Sequence, residues 1–132
     1  MPGSSPPLRV LVVDDDPRIA DTLALVLRQN GFDARAAYSG PEAIEAALKS
    51  PPNFIVMDVF MGDIDGVDSA IAITEALPHC RILLISGHVD ALQRLAKGTA
   101  RGHSFDLMMK PIQIPALLDR LRSPDDPGKL PN

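Results

Sequence analysis

Three short apolar runs in this chain end on charge. Val10-Leu11-Val12-Val13 runs into Asp14-Asp15, Phe54-Ile55-Val56-Met57 into Asp58, and Leu107-Met108-Met109 into Lys110-Pro111. Three carboxylates at one place attract a divalent cation, and a lysine beside them attracts an anion. That combination suits phosphoryl chemistry, where charge must be balanced on both sides of a transferring group. The condition is that the three run ends meet in space.

The surrounding pattern supplies elements that would bring them together. Short continuous apolar runs read as strands buried on both faces. Further strands are expected at Asp33 to Ala37 and Arg81 to Ile85. Helix signals alternate with the strands. Asp16 is a candidate N-cap with Pro17 at the first helical position, Ile19, Leu23, Val26 and Leu27 share one face, and Gly31 is the stop. Ser39 and Glu42 have capping-box spacing, followed by a stripe of Ile44, Ala47 and Leu48. A loop from Asp58 to Gly66 leads to a helix with Val67, Ala70, Ile71 and Leu77 inward. Val89, Leu92, Leu95 and Ala96 suggest a short fourth helix, which Gly98 and Gly102 weaken; Ile114, Leu117, Leu118 and Leu121 mark the last. Strand–helix alternation predicts an α/β fold with a parallel sheet covered by helices on both faces. Ligands in such folds bind beyond the carboxyl ends of the strands, where all three charged run ends fall.

Composition bounds the rest. The 132 residues suit one domain, expected over residues 8–122, with a disordered head (1–7) and tail (123–132) rich in Pro, Ser and Gly. Hydrophobic residues make up 45%, enough for a core. The net charge of −4 argues against a nucleic-acid partner, which favours a basic face. No apolar stretch approaches membrane-spanning length and no signal peptide is visible, so no membrane partner and a cytoplasmic setting are expected. Cys80, the single cysteine, reads as a small apolar core residue. His79, His88 and His103 lack metal-ligand spacing, and Asp63 and Asp65 read as solvated loop acids.

Taken in order, Val12-Val13-Asp14-Asp15-Asp16-Pro17, Asp58 with Gly66 eight residues on, Leu84-Ile85-Ser86-Gly87 and Lys110-Pro111 resemble the receiver domain of two-component response regulators. The resemblance runs from about Arg9 to Arg122. It implies a flavodoxin-like, doubly wound five-stranded sheet of order 2-1-3-4-5. It also implies roles. Asp58 would be the phosphoacceptor, Ser86 would hydrogen-bond a phosphoryl oxygen and Lys110 would pair with another. Mg²⁺ would be the cofactor, held by Asp15 and Asp58, by Asp14 through a water and by the Phe60 carbonyl. The donor would be a histidine kinase or histidine phosphotransfer protein, and the output a conformational change read by a downstream protein. With no output domain expected after Arg122, the chain reads as a stand-alone receiver.

Some positions depart from that pattern. Gly62 replaces a usual proline, which predicts a looser loop, and Leu107 replaces the usual aromatic switch residue. Phe60 and His88 flank the route by which water would reach a phosphoryl group. A phosphate-independent interaction module on the same fold is therefore a second reading. A Mg²⁺-dependent phosphohydrolase is disfavoured because Phe60 stands where a second acid is expected. A flavodoxin-like electron carrier is disfavoured because Asp14-Asp15-Asp16 would repel a cofactor phosphate.

Overall fold

The computed structural model describes residues 6–61, 64–88, 90–91, 93, 95–96, 102 and 105–123, with the backbone alone at 64 and 65. In chain order the elements are β1 (Arg9–Val13), α1 (Pro17–Gln29), β2 (Asp33–Ala37), α2 (Gly40–Lys49), β3 (Phe54–Asp58), β4 (Phe60–Met61), β5 (Ile64–Asp65), α3 (Gly66–Ala76), β6 (Arg81–Ser86), β7 (Asp106–Met109) and α4 (Ile114–Arg122). Five parallel strands form one sheet in the order β2-β1-β3-β6-β7. This is the expected order, since the two-residue strands β4 and β5 stand apart as an antiparallel ribbon. The flanks of the loop after Asp58 are paired, Phe60 opposite Asp65 and Met61 opposite Ile64, while Gly62, on which the expectation of a looser loop rests, and Asp63 lie outside the described residues. The expected disordered ends lie outside the described residues, apart from Pro6, Pro7 and Ser123. So do Val89, Leu92 and 97–101 of the expected fourth helix and its loop.

Two apolar layers hold the sheet. One buries Leu11, Val13, Ile55, Met57 and Leu84 under α2 and α3, with Ala43, Ala47, Val67, Ala70, Ile71 and Ile73 facing in. The other buries Val10, Val12, Val56, Leu83 and Ile85 under α1 and α4, through Ala20, Leu23, Ala24, Leu27, Leu117 and Leu121. The helix stripes are rotated from the expected ones. In α1 the buried residues are Ala20, Leu23, Ala24 and Leu27, while Ile19 is 43% exposed. In α2 Ala43 and Ala47 face inward and Leu48 is 51% exposed. Alanines let a helix axis approach the sheet closely, and the larger side chains then flank the contact.

Helix starts follow local chemistry. The Asp16 carboxylate accepts the Arg18 N–H at 3.0 Å, capping α1 with Pro17 in its first turn. Ser39 Oγ accepts the Glu42 N–H at 3.1 Å and caps α2. Gly31 takes φ +93° just past α1, a conformation that side chains resist.

Candidate functional site

Strand register assembles the site. Val13 pairs with Met57, so Asp14, one residue further on, comes beside Asp58. Asp58 pairs with Ile85, which sets Ser86 one step beyond it, and Ser86 pairs with Met109, just before Lys110. Because the strands are parallel, all of these fall at one sheet edge. Gly66 opens α3 against this edge. Its N–H donates to the Val59 carbonyl at 2.7 Å, and a Cβ there would stand 2.3 Å from the Asp58 carbonyl oxygen. Only glycine admits that approach.

Asp58, 8% exposed, has both carboxylate oxygens engaged. Oδ2 accepts from Lys110 Nζ at 2.9 Å and Oδ1 from the Phe60 N–H at 3.0 Å. Lys110 Nζ also stands 3.9 Å from Asp14 Oδ2, while Asp14 Oδ1 accepts the Asp16 N–H at 2.9 Å. The Lys110–Pro111 peptide bond is cis. Burial pushes the Asp14 carboxyl above its ordinary value. The Asp16 N–H pulls it down, and the negative charge of Asp58 adds to the rise against the opposing pull of Lys110. Burial alone would lower Lys110, but its hydrogen bond to Asp58 and the charges of Asp58, Asp14 and Asp15 hold its ammonium above the usual lysine value.

The three expected acids do not converge equally. Asp14 and Asp58 share Lys110, whereas Asp15 is exposed and acts on them through its field. Among the described residues no three of His, Cys, Asp and Glu are grouped to hold a metal ion. The site is therefore a buried carboxylate pair around one ammonium, with a third acid at its rim. Mg²⁺ needs no more than one or two carboxylates, since it keeps several waters.

Ser86, fully buried, does not point its hydroxyl at Asp58 through any hydrogen bond of this structure. Its Oγ accepts the His88 N–H at 3.0 Å and donates to the His88 carbonyl at 3.3 Å. The Ser86 carbonyl accepts the Lys110 N–H at 2.8 Å. The His88 ring meets the Phe60 ring edge to face, 4.9 Å between centroids at 71°. Sequence reading placed Phe60 and His88 near the site but missed their contact. Their matching offsets, each two residues past a site residue on neighbouring strands, were the available signal.

The comparisons with known proteins agree with this geometry. The family model described as "Response regulator receiver domain" matches residues 10–122. The probable transcriptional regulatory protein TcrX of Mycobacterium tuberculosis is 34% identical over 117 residues, 89% of this chain and 49% of that protein. The DNA-binding response regulator MtrA of Mycolicibacterium smegmatis is 30% identical over 87% of this chain and 49% of its own. Among solved structures, the chemotaxis protein CheY4 of Vibrio cholerae superposes with TM-score 0.78 at 25% identity, over 88% of this chain and 97% of that one. The chain thus spans about half the length of the curated relatives it matches. These relatives overturn the expectation that nucleic acid is excluded and undercut the stand-alone reading: proteins named as DNA-binding and transcriptional regulators share this receiver-length stretch. Net charge over one such stretch reports on that stretch, not on the surfaces of a protein twice as long. Among the described residues no helix is long and apolar enough to cross a membrane. With the sheet order, the Asp58–Lys110 pair and the matched family model in agreement, the chain belongs to the response regulator receiver domain family.

Proposed function

We propose that this receiver accepts a phosphoryl group on Asp58 from a histidine kinase or histidine phosphotransfer protein and passes the signal on by a conformational change. The observation that carries the reading is the Asp58 carboxylate itself. It is nearly buried at the sheet edge, oriented through one oxygen by the Phe60 N–H and through the other by the Lys110 ammonium. A fixed carboxylate is an oriented nucleophile, and the ammonium beside it can follow the charge that spreads onto phosphoryl oxygens.

Two buried carboxylates against one ammonium leave surplus negative charge, the electrostatic fit for a divalent cation. Asp14, Asp15, Asp58 and the Phe60 carbonyl are the residues that would hold Mg²⁺. When bound, the ion would offset the repulsion between the acids and an incoming phosphate. Lys110 would hold one phosphoryl oxygen, and Ser86 another once its hydroxyl leaves His88. The naming of TcrX and MtrA supports transcription as the process such a signal reaches. A phosphate-independent module is the second reading, favoured by the closed Ser86–His88 pairing and by Leu107 in the switch position.

Intact mass after incubation with acetyl phosphate and Mg²⁺ tests the proposal. The wild type should gain one phosphoryl group and Asp58→Asn none. Equal labelling of Asp58→Asn would reject Asp58 as acceptor.

A further inference from the structure

Five contacts close a circuit around the site. Lys110 Nζ holds Asp58 Oδ2, and Asp58 Oδ1 holds the Phe60 N–H. The Phe60 ring meets the His88 ring, and the His88 backbone holds both the acceptor and the donor of Ser86 Oγ. The Ser86 carbonyl returns to the Lys110 N–H at 2.8 Å. His88 is therefore bound twice, by its backbone to Ser86 and by its ring to Phe60. Ring and backbone belong to one residue, so neither contact can shift far without loading the other.

We propose that His88 is a positioning residue: its edge-to-face contact with Phe60 latches the Ser86 hydroxyl in its own loop and so biases the domain toward the unphosphorylated arrangement. The proposal rests on the reading of Asp58 as phosphoacceptor. To donate to a phosphoryl oxygen on Asp58, the Ser86 hydroxyl must give up the bond it donates to the His88 carbonyl. A shift of residue 88 that frees the hydroxyl from its carbonyl also moves its ring relative to the Asp58–Phe60 segment and loosens the ring contact. The latch thus carries an aromatic coupling at this edge, whereas Leu107, half-buried among the α2–α3 layer, offers no ring. A state whose competing arrangement is favoured by one contact binds its ligand more weakly by the weight of that contact.

The test uses Phe60→Leu and His88→Leu, which keep apolar bulk and remove one ring each, and the double variant. Beryllofluoride with Mg²⁺ serves as the phosphoryl mimic. Each single variant should bind the mimic roughly threefold tighter, the weight of one edge-to-face pair. The double variant should bind no tighter than either single one, because the same contact is lost once. Independent effects that multiply in the double variant, or unchanged affinity in both singles, would overturn the latch. A second readout needs no mimic: amide exchange at residue 88, whose N–H donates to Ser86 Oγ, should accelerate in Phe60→Leu while the melting midpoint of the protein holds. Unchanged exchange there refutes the latch. Failure of wild-type protein to bind the mimic at all refutes the phosphoacceptor reading instead, and the exchange experiment still decides the latch.

Discussion

At the scale of single residues, Asp14 carries its charge under strong constraint. Its carboxylate is 6% exposed, faces Asp58, and shares one ammonium with it. Burial and the Asp58 charge raise its pKa, which means the folded state binds its proton more tightly than the unfolded chain does. Ionised Asp14 therefore costs stability above its folded pKa, and the cost is relieved as pH falls through that value. Asp14→Asn removes the charge and keeps an oxygen for the Asp16 N–H. In metal-free buffer near neutral pH the variant should unfold at higher urea than the wild type, and the gap should narrow as the buffer is acidified. A variant less stable than wild type at neutral pH would show that the Lys110 contact outweighs the burial penalty.

At the scale of elements, the start of α3 and the end of β3 are packed to the limit. A methyl group at residue 66 would meet the Asp58 carbonyl oxygen at 2.3 Å and the Val59 Cα at 2.9 Å, both backbone atoms that cannot swing away. Gly66→Ala should cost about 1–3 kcal/mol as an overpacking change and displace Asp58, slowing its phosphorylation. Urea unfolding and the labelling rate would check the two effects, and a variant with both unchanged would refute the close approach. The far end of the sheet has its own fastening. Arg81, first residue of β6, lays its guanidinium over the Phe54 ring at 5.0 Å and donates to the Ser123 carbonyl at 2.8 Å, tying the end of α4 to the sheet. Arg81→Gln should cost about 1 kcal/mol and speed amide exchange at Ser123 more than in β3.

These elements also show what could be read from the chain alone. The strands were legible because apolar runs such as Phe54–Met57 are unbroken, and the site because each run stops on charge. Gly66 was visible as a marker, but its reason is a tertiary contact eight residues back. The β4–β5 ribbon was not legible, since two-residue strands have no periodicity to detect. The inward faces of α1 and α2 were legible at Leu23, Leu27 and Ala47 but not at Ile19 and Leu48, large residues that fit the helical pattern yet lie outside the contact, where the sheet selects alanines that permit close packing. The exposure of Asp15 at the rim, outside the Asp14–Asp58 pair on Lys110, is set by tertiary packing that no pattern of residue types encodes.

At the scale of the whole molecule, Cys80 offers a probe of how the site and the core are coupled. It is buried at the turn between α3 and β6, its N–H donates to the Leu77 carbonyl at 3.1 Å, and burial pushes its thiol up to about 11. Near pH 8 almost none of it is thiolate while the protein is folded, and reagent has little access, so labelling must proceed through opening of the fold. Asp14 and Asp58 are brought together only in the folded state, because 44 residues separate them in the chain. A cation held between them therefore binds the native protein and not the open one, and lowers the open population by mass action. Labelling of Cys80 by an aromatic disulfide should be slow in native protein and fast in urea. Mg²⁺ at ten times its dissociation constant should slow it about tenfold where opening is global. Asp58→Asn, which removes one carboxylate of the pair, should lose most of that Mg²⁺ response while remaining slow to label. Labelling that Mg²⁺ leaves unchanged in the wild type, at a urea concentration where opening is global, would show that the carboxylate pair is balanced by Lys110 alone and takes up no cation.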